Sequence, residues 1–479
     1  MLVPTVVVCG SIGLYAESPP APVGALPTEA QIAWHAREFY GFIHFTTNTF
    51  TDKEWGFGDE SPEIFAPSAL DTDQWARVAK AAGMTGLILT AKHHDGFCLW
   101  PSRFTEHSVV ASTWREGQGD VVGDFARSCF EQEIGIGIYL SPWDRNHAAY
   151  GMPEYVSYYR DQLRELIETY GPVFEVWHDG ANGGDGYYGG ARERRTIDKA
   201  TYYGWPETWE MIRELAPDAI VFSDVGPGCR WVGNERGFSS ETSWQTISPG
   251  GMMPGMDIKG LDTGDPEGTH WIGVEADVSI RPGWFYHASE DDKVKTAEEL
   301  IEIWYGSVGR GANLLLNIPP DRRGLIHEND VASLTEFRRI LDATFDEDIL
   351  RGARVAADDV RGAADDRYEP ANLLDDDAET YWATPDGVTA ATVEVVLSER
   401  RTIDVVKLRE HIRLGQRIES FAVDYWDGRG WVEFARGTTV GPRRIIRTER
   451  ITTDRLRLRV ESCRGDAVVV ADFSAHLRP

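Results

Sequence analysis

Carboxylate and imidazole side chains follow short apolar runs at several places along the chain. His44 lies at the end of YGFIHF, His93, His94 and Asp95 follow GLILTAK, and Asp179 follows VFEVWH. Carboxylates serve as nucleophiles and as general acids or bases, and neutral imidazoles bind hydroxyl groups. We therefore expect a binding or catalytic site where the ends of these runs come together.

Asp179 stands between an apolar run and a Gly-rich turn in the segment VFEVWHDGANG. Two interpretations fit this position. The carboxylate projects into a site at the end of a strand, or it closes an Asx turn by accepting a hydrogen bond from the backbone two residues further on. The local sequence leaves both open.

His93 and His94 are adjacent, and neighbouring side chains of an extended strand point to opposite faces. Both therefore reach one site only if the chain kinks; otherwise one faces the site and the other is a packing residue. A metal site would combine His44, one of this pair and Asp179, but no HxH or HExxH spacing is present. We predict no metal and no cofactor.

Strands that alternate with amphipathic helices would bring these side chains together. The strands are predicted at 40–45, 86–93, 134–141, 173–180, 220–224 and 312–319, and the helices at 71–83, 120–133, 153–171 and 328–345. This α/β alternation favours a TIM-like (β/α) barrel, in which the C-terminal ends of the strands form the site. Residues 225–290 lack clean periodicity and are interpreted as a long active-site loop or an irregular barrel segment.

Beyond about residue 346 the pattern changes to alternating, strand-like runs such as TVEVVLSE and RLRLRVES. These runs predict an all-β sandwich. Its opening, NLLDDDAETYWAT at 372–384, resembles the discoidin-like (galactose-binding-like) domains that are appended to many glycosidases. We expect a leader or disordered N-terminus at 1–24, a catalytic barrel at 25–345 and a carbohydrate-binding-like sandwich at 346–479.

The formal charge of −29 argues against nucleic acid partners, because such a surface repels phosphate. Apart from the N-terminal segment, no stretch approaches the roughly 18 uncharged apolar residues of a membrane span. The first 18 residues are apolar but contain no Lys or Arg, so they form a weak signal-like segment and leave secreted and cytoplasmic locations open. The 17 tryptophans offer flat apolar faces for stacking on sugar rings as well as for core packing.

Five motifs occur in order along the first two thirds of the chain: YGFIHF, TDKEWGFG, LILTAKHHDGFCLWPS, GIYLSPWDRNHAAYG and VFEVWHDGANG. Together they resemble glycoside hydrolase family 29, the α-L-fucosidases, over residues of about 25 to 345. The resemblance implies a retaining double displacement on terminal α-L-fucose of oligosaccharides or glycoconjugates. It places the nucleophile at Asp179, although many relatives carry an aromatic residue where this chain has His178.

The same resemblance assigns the fucose pocket to His44, Trp55, His93 and His94. Further pocket neighbours are expected among residues of the same motifs, namely Glu54, Tyr139, Trp143 and Trp177. Retention requires a second carboxyl group about 5–5.5 Å from the nucleophile, which acts as acid and then as base.

Two glutamates in the irregular region are candidates for this acid/base. The GNERG segment resembles the acid/base loop of the subfamily that prefers α-1,3 and α-1,4 linkages, and it assigns the role to Glu235. Glu275, with Arg281 and Trp284, is expected to shape the pocket or to join a charge network, with acid/base as its alternative role. The competing functions are a metal-dependent barrel hydrolase and a catalytically silent carbohydrate-binding protein.

Overall fold

The computed structural model describes residues 17–362 and 366–479. Most of the leader predicted at 1–24 lies outside these residues. Within the described ranges, no helix combines the length and the apolar character that a membrane crossing requires.

Eight parallel strands close into a barrel in which every strand pairs with its neighbours in chain order. The last strand pairs with the first, with Phe39 opposite Leu314, so the sheet has no open edge. The strands are β1 (Phe39–Ile43), β2 (Gly86–Lys92), β3 (Gly135–Leu140), β4 (Glu175–Trp177), β5 (Ile220–Ser223), β6 (Cys229–Trp231), β7 (Gly273–Ser279) and β8 (Asn313–Asn317). The predicted TIM-like barrel is confirmed.

Helices cover the outside of the barrel, and several of them begin with a side-chain cap. The side chain of Asp71 accepts a hydrogen bond from the backbone of Gln74, and Thr28 and Thr296 form capping boxes. The helices are α1 (Glu29–His35), α2 (Thr47–Thr51), α3 (Thr72–Ala81), α4 (Val121–Glu131), α5 (Pro153–Tyr170), α6 (Trp205–Leu215), α7 (Ala297–Gly306) and α8 (Glu328–Phe345).

Alternation along each strand separates the interior of the barrel from its helical coat. In β1, Tyr40 and Phe42 belong to the interior cluster, whereas Phe39 and Ile43 pack in the cluster formed with the helices. The interior residues of β4 are Glu175 and Trp177, two positions apart, and the row continues to Asp179. Each strand therefore points its last inward residue at the same end of the barrel.

Residues 225–290, which lack clean periodicity, contain the two strands β6 and β7. All of residues 224–228 and 232–272 are described, and neither connection contains a helix. β5 passes almost directly into β6, and a long loop with a short hairpin, Thr246–Ile247 paired with His270–Trp271, joins β6 to β7. Both expectations for this region, a long loop and an irregular barrel segment, are thus combined in one stretch.

The C-terminal part is an antiparallel β domain, as predicted. Its strands are β9 (Arg354–Ala357), β10 (Ala391–Arg409), β11 (Ile418–Trp426), β12 (Trp431–Gly437), β13 (Arg444–Cys463) and β14 (Asp472–His476). They form a sheet in the order β9-β10-β13-β11-β12, with β14 also paired to β10. A two-stranded sheet, Trp382–Ala383 with Val469–Val470, contributes to the same apolar core.

Candidate active site

A cavity of about 380 Å³ opens at the C-terminal ends of the barrel strands. Nine of the residues predicted for a site border it, and they come from widely separated parts of the sequence. These nine residues are His44, Glu54, Trp55, His93, His94, Trp177, Asp179, Glu235 and Trp284. The cavity also has seven lining residues that the sequence interpretation did not select: Phe42, Gly180, Ala181, Phe222, Asp224, Trp231 and Asp277.

Asp179 lies in the cavity wall just beyond β4, with its side chain 23% exposed. One carboxylate oxygen accepts a hydrogen bond from the backbone of Ala181 at 2.5 Å, and the other accepts one from the hydroxyl of Tyr139 at 3.1 Å. The two interpretations of this residue therefore coexist: the Asx turn is formed, and it fixes a carboxylate that still faces the cavity. A carboxylate held in this way has a fixed position toward any ligand in the cavity.

His44 is buried at the end of β1 and is held by Asn317 of β8, whose Oδ1 lies 2.8 Å from Nδ1. The amide group of Asn317 donates to the carbonyl of Trp284 at 2.8 Å, which turns its oxygen toward His44. Nδ1 of His44 therefore carries the proton, and Nε2 is left as an acceptor. Burial lowers the pKa of His44 to about 3, so the ring is neutral.

His93 and His94 both border the cavity because β2 ends at Lys92, after an irregularity in its pairing with β3. Their ring centroids are 4.1 Å apart. The hydroxyl of Ser141 donates to the carbonyl of Trp143, so it accepts from Nδ1 of His94 at 2.7 Å. Nε2 of His94 lies 3.9 Å from the carboxylate of Asp179 as a second acceptor.

Burial lowers the pKa of His94 to about 4, against the opposing effect of the Asp179 carboxylate. Burial also places the pKa of His93 well below its usual value, and the neighbouring His94 and His44 lower it further. Neutral imidazoles of this kind can accept hydrogen bonds from hydroxyl groups. The cavity therefore offers uncharged acceptors beside the carboxylate of Asp179, an arrangement suited to a polyhydroxylated ligand.

Glu54, Trp55 and Trp284 also form part of the cavity wall. Glu54 accepts hydrogen bonds from the backbone of Trp284 at 2.9 Å and of Phe285 at 3.3 Å, which ties the loop after β1 to the loop after β7. Trp55 is 53% exposed and meets His94 edge to face at a centroid distance of 5.3 Å. These aromatic faces leave a broad apolar surface open to a ligand.

Glu235 stands at the exposed rim of the cavity, on the loop that follows β6. Its carboxylate lies 3.4 Å from the indole nitrogen of Trp284, which donates the hydrogen bond. Glu235 and Asp179 thus belong to one cavity but to different surroundings: Glu235 is at the open side, and Asp179 is fixed near the ends of the strands.

Asp224 and Asp277 are acidic lining residues that the sequence interpretation missed. Burial raises the pKa of Asp224 to about 6, and the charge of Asp179 adds to this shift. Burial also raises the pKa of Asp277 well above its usual value, with contributions from Glu235 and Glu275. Alternation along β7 is a signal for Asp277, since it lies two positions after Glu275 and therefore on the same face.

Four of the predicted pocket residues lie behind the cavity wall. Tyr139 supports Asp179 from β3, and Trp143 is buried with its indole nitrogen 3.0 Å from the hydroxyl of Tyr188. Arg281 is held away from the cavity by Asp330 at 2.9 Å and by Asp291 at 2.9 Å. Glu275 is fully buried below the cavity floor, where it accepts from the indole nitrogen of Trp177 at 2.9 Å.

Glu275 faces a second buried glutamate, Glu175, inside the barrel. With Cys229 they place potential ligand atoms within 4.8 Å of one another. Tyr40 donates to Glu275, and the indole of Trp34 donates to Glu175 at 3.0 Å, so several of the oxygens face hydrogen-bond donors rather than an open ligand position. Burial raises the pKa of both carboxyl groups, and the pair is best satisfied by sharing a proton.

This shared proton leads to a stability prediction. Because the folded pKa of Glu175 lies above the unfolded value of 4.5, unfolding above that pH releases a proton, and stability falls as pH rises toward the folded pKa. Glu175→Gln donates permanently to Glu275 and should remove this dependence. Denaturant unfolding is measured from pH 5 to 8. The free energy of unfolding of the variant, relative to that of the parent, should rise by up to about 1.4 kcal/mol per pH unit. Exposed Glu154→Gln is the matched control, and parallel curves for Glu175→Gln and the parent would contradict the shared proton.

Known proteins match the chain over the barrel and beyond it. The sequence model of the alpha-L-fucosidase family matches residues 22–344. Alpha-L-fucosidase 1 of Arabidopsis thaliana is 40% identical over 455 residues, which cover 94% of this chain and 87% of that protein.

Solved structures extend this similarity to the whole fold. A glycoside hydrolase 29 family member from an unknown rumen bacterium is 40% identical with a TM-score of 0.84, covering 96% of this chain and 78% of that one. A Ruminococcus gnavus GH29 fucosidase in complex with fucose is 31% identical with a TM-score of 0.87, covering 98% of both chains. The chain therefore belongs to the α-L-fucosidases of glycoside hydrolase family 29.

Proposed function

We propose that this α-L-fucosidase is a retaining enzyme in which Asp179 is the nucleophile and Glu235 is the general acid/base. The observation that carries the proposal is the placement of both carboxyl groups in one cavity, with Asp179 fixed by two hydrogen bonds and Glu235 at the open rim. A nucleophile must be held against the anomeric carbon, whereas an acid/base must reach the leaving oxygen and then a water molecule.

In the first step, Asp179 attacks the anomeric carbon while Glu235 gives its proton to the departing glycosidic oxygen. In the second step, Glu235 takes a proton from water, which attacks the same carbon and releases Asp179. Two inversions give net retention. The hydroxyl of Tyr139, 3.1 Å from Asp179, donates to the carboxylate that leaves in the second step.

The same cavity suits a deoxy sugar. Nε2 of His44 and Nε2 of His94 are hydrogen-bond acceptors for ring hydroxyl groups, because Nδ1 of each ring donates to its partner, Asn317 or Ser141. Trp177 stacks on Phe222 with a centroid distance of 4.2 Å and forms an apolar face for the C6 methyl group. The Ruminococcus gnavus relative was solved in complex with fucose, which supports this assignment.

Asp224 is a second candidate for the acid/base, because its pKa of about 6 keeps it partly protonated near neutral pH. Its Oδ2 accepts from the backbone of Gly255 at 2.7 Å, so the group is more constrained than Glu235. Glu275 is disfavoured for this role by its complete burial and its hydrogen bonds to Tyr40 and Trp177.

The stereochemical test is to follow hydrolysis of an aryl α-L-fucoside by NMR and to identify the first anomer of fucose formed. Retention gives the α anomer first; the β anomer as first product would exclude the double displacement.

A slow fluorinated fucoside should label Asp179, and the label is located by identifying the modified peptide. Activity that survives a chelator would set aside metal-dependent hydrolysis, and sugar binding without turnover would indicate a silent binding protein.

We further propose a preference for α-1,3- and α-1,4-linked fucose, based on the resemblance of GNERG (233–237) to the loop of that subfamily. The exposed position of Glu235 supports it, because a rim residue is well placed to meet a branched aglycone. We expect kcat/KM for a Lewis trisaccharide to exceed that for 4-nitrophenyl α-L-fucoside. Equal kcat/KM values, or a higher value for the aryl substrate, would contradict the linkage preference. The family assignment would not be affected.

The division at 24/25 and 345/346 and the discoidin-like character of the last domain also remain proposals. Of these, the division at 345/346 is supported by the end of α8 at Phe345 and by the antiparallel sheet that begins at Arg354. Sugar binding by the isolated C-terminal surface is not needed for the mechanism proposed here.

A further inference from the structure

The turn that carries Glu235 is short and is held at both ends. It begins directly after β6, where the backbone N–H of Val232 donates to the carbonyl of Glu275 at 2.8 Å. Asn234 closes the turn with its side chain: Nδ2 donates to the carbonyl of Phe238 at 2.9 Å, and Oδ1 accepts from the backbone of Arg236 at 3.1 Å. The path of the chain at residues 239–245 therefore determines the position of Glu235 at the cavity.

The first anchor of this stretch lies on the barrel. The backbone N–H of Ser239 donates to the carbonyl of Gly306 at the end of α7 at 2.9 Å. Arg310 donates to the carbonyl of Ser239 at 2.6 Å and also pairs with the carboxylate of Glu241. Arg310 therefore holds two points of the loop at once.

The second anchor lies on the C-terminal domain. Arg444 of β13 pairs with the carboxylate of Glu241 and donates to its carbonyl oxygen at 2.8 Å. One arginine from each domain thus clamps Glu241. Because Arg310 binds both Glu241 and Ser239, the position of Arg444 is transmitted to the residue at which the Glu235 turn ends.

A third set of contacts holds the loop against the C-terminal domain. Gln416 is 2% exposed; its amide nitrogen donates to the carbonyl of Ser243 at 2.9 Å, and its amide oxygen accepts from the backbone of Gln245 at 2.8 Å. The hydroxyl of Thr439 accepts from the backbone of Ser243 at 2.9 Å. These side chains replace the neighbouring strand that the loop lacks, and they satisfy backbone groups that would otherwise be buried without partners.

From these contacts we propose that the C-terminal β domain positions Glu235, through residues 239–245, and so acts on the acid/base step without touching the substrate. Gln416, Thr439 and Arg444 are then positioning residues. The inference rests on the acid/base role proposed for Glu235. It gives the appended domain a part in catalysis that does not depend on sugar binding by that domain.

The test compares substrates that differ in how much protonic help their leaving group needs. Gln416→Ala and the nearly isosteric Thr439→Val should lower kcat/KM for a fucosyl oligosaccharide by about 10- to 100-fold, because a small displacement of an acid/base forfeits much of its effect. For 2-chloro-4-nitrophenyl α-L-fucoside, whose leaving group needs little protonation, the same variants should lose less than about threefold. The plot of log kcat/KM against leaving-group pKa should therefore become steeper.

The control is Arg413→Ala, which removes an ion pair to Glu29 at 2.5 Å in the same interdomain contact but away from the loop. It should leave the leaving-group dependence unchanged. Thr439→Val keeps the test open if Gln416→Ala does not fold. An equal loss on both substrates, or no loss on either, would overturn the positioning role.

Glu235→Ala is measured beside these variants to separate two failures. If Glu235→Ala itself lacks the leaving-group signature, the acid/base assignment is wrong. If Glu235→Ala shows the signature and both Gln416→Ala and Thr439→Val lack it, the assignment stands and the positioning role is wrong.

Discussion

Replacing Asp179 by alanine should lower kcat/KM for every α-L-fucoside by about 10⁴-fold or more, whatever the leaving group. The loss is uniform because, in the proposed double displacement, Asp179 forms the covalent bond to the anomeric carbon in every case. The fold should survive, since the carboxylate makes only two hydrogen bonds, to Ala181 and Tyr139, and is partly exposed. Steady-state kinetics with unfolding curves of parent and variant provide the measurement.

Azide adds a stereochemical readout to this variant. The small anion can occupy the space of the lost carboxylate and attack the α-fucoside from the same face, so the product should be β-L-fucosyl azide. Asp224→Ala is the informative comparison, because Asp224 borders the same cavity with a raised pKa. If Asp224→Ala gave the β-azide and Asp179→Ala did not, the nucleophile would be Asp224.

Six of the eight barrel strands and four of the helices, α3, α4, α5 and α8, could be predicted because the strands are apolar runs and the helices are amphipathic. β1, β2 and β3 are buried runs bounded by turn residues, and Asp71 marks the start of α3 as expected. The two strands β6 and β7 were not predicted from the sequence, for a physical reason. β6 has only the residues Cys229–Trp231, and β7 carries Glu275 and Asp277 on its inward face, so neither looks like an apolar strand in sequence.

The residues of the candidate site could also be predicted only in part. Residues that follow recognisable strands, such as His44, His94 and Asp179, lie in the cavity. Arg281 was selected for its neighbourhood in sequence, but the ion pair with Asp330, which comes from α8, draws it away. Such a pairing between distant segments depends on tertiary packing and leaves no local signal.

The burial of Glu275 could not be predicted from its residue type, because glutamate is rarely fully buried unless it is paired. Its partner, Glu175, lies 100 positions earlier in sequence numbering and is another acid, so the usual search for an opposite charge fails. Only the closure of the barrel brings the two carboxyl groups together and lets a proton take the place of a cation.

Glu235→Ala should affect substrates unequally, in contrast to Asp179→Ala. A fucosyl oligosaccharide has a poor leaving group that must be protonated as it departs, so kcat/KM should fall by about 10²- to 10⁴-fold. A 2-chloro-4-nitrophenyl fucoside departs as a stable phenolate, so its kcat/KM should fall by less than about tenfold. The ratio of the two losses is the measurement.

The second step of the reaction distinguishes Glu235 from Asp224 and Glu275, the other candidates for the acid/base. Without a base to activate water, the fucosyl-enzyme should accumulate, and a burst of phenolate should precede a slow steady state. Azide needs no base, so it should restore turnover by attacking the intermediate from the face that water uses. The product should then be α-L-fucosyl azide, opposite in configuration to the product from Asp179→Ala. If Asp224→Asn or Glu275→Gln gave the selective loss, the burst and the α-azide while Glu235→Ala gave none, the acid/base would have to be reassigned to that residue.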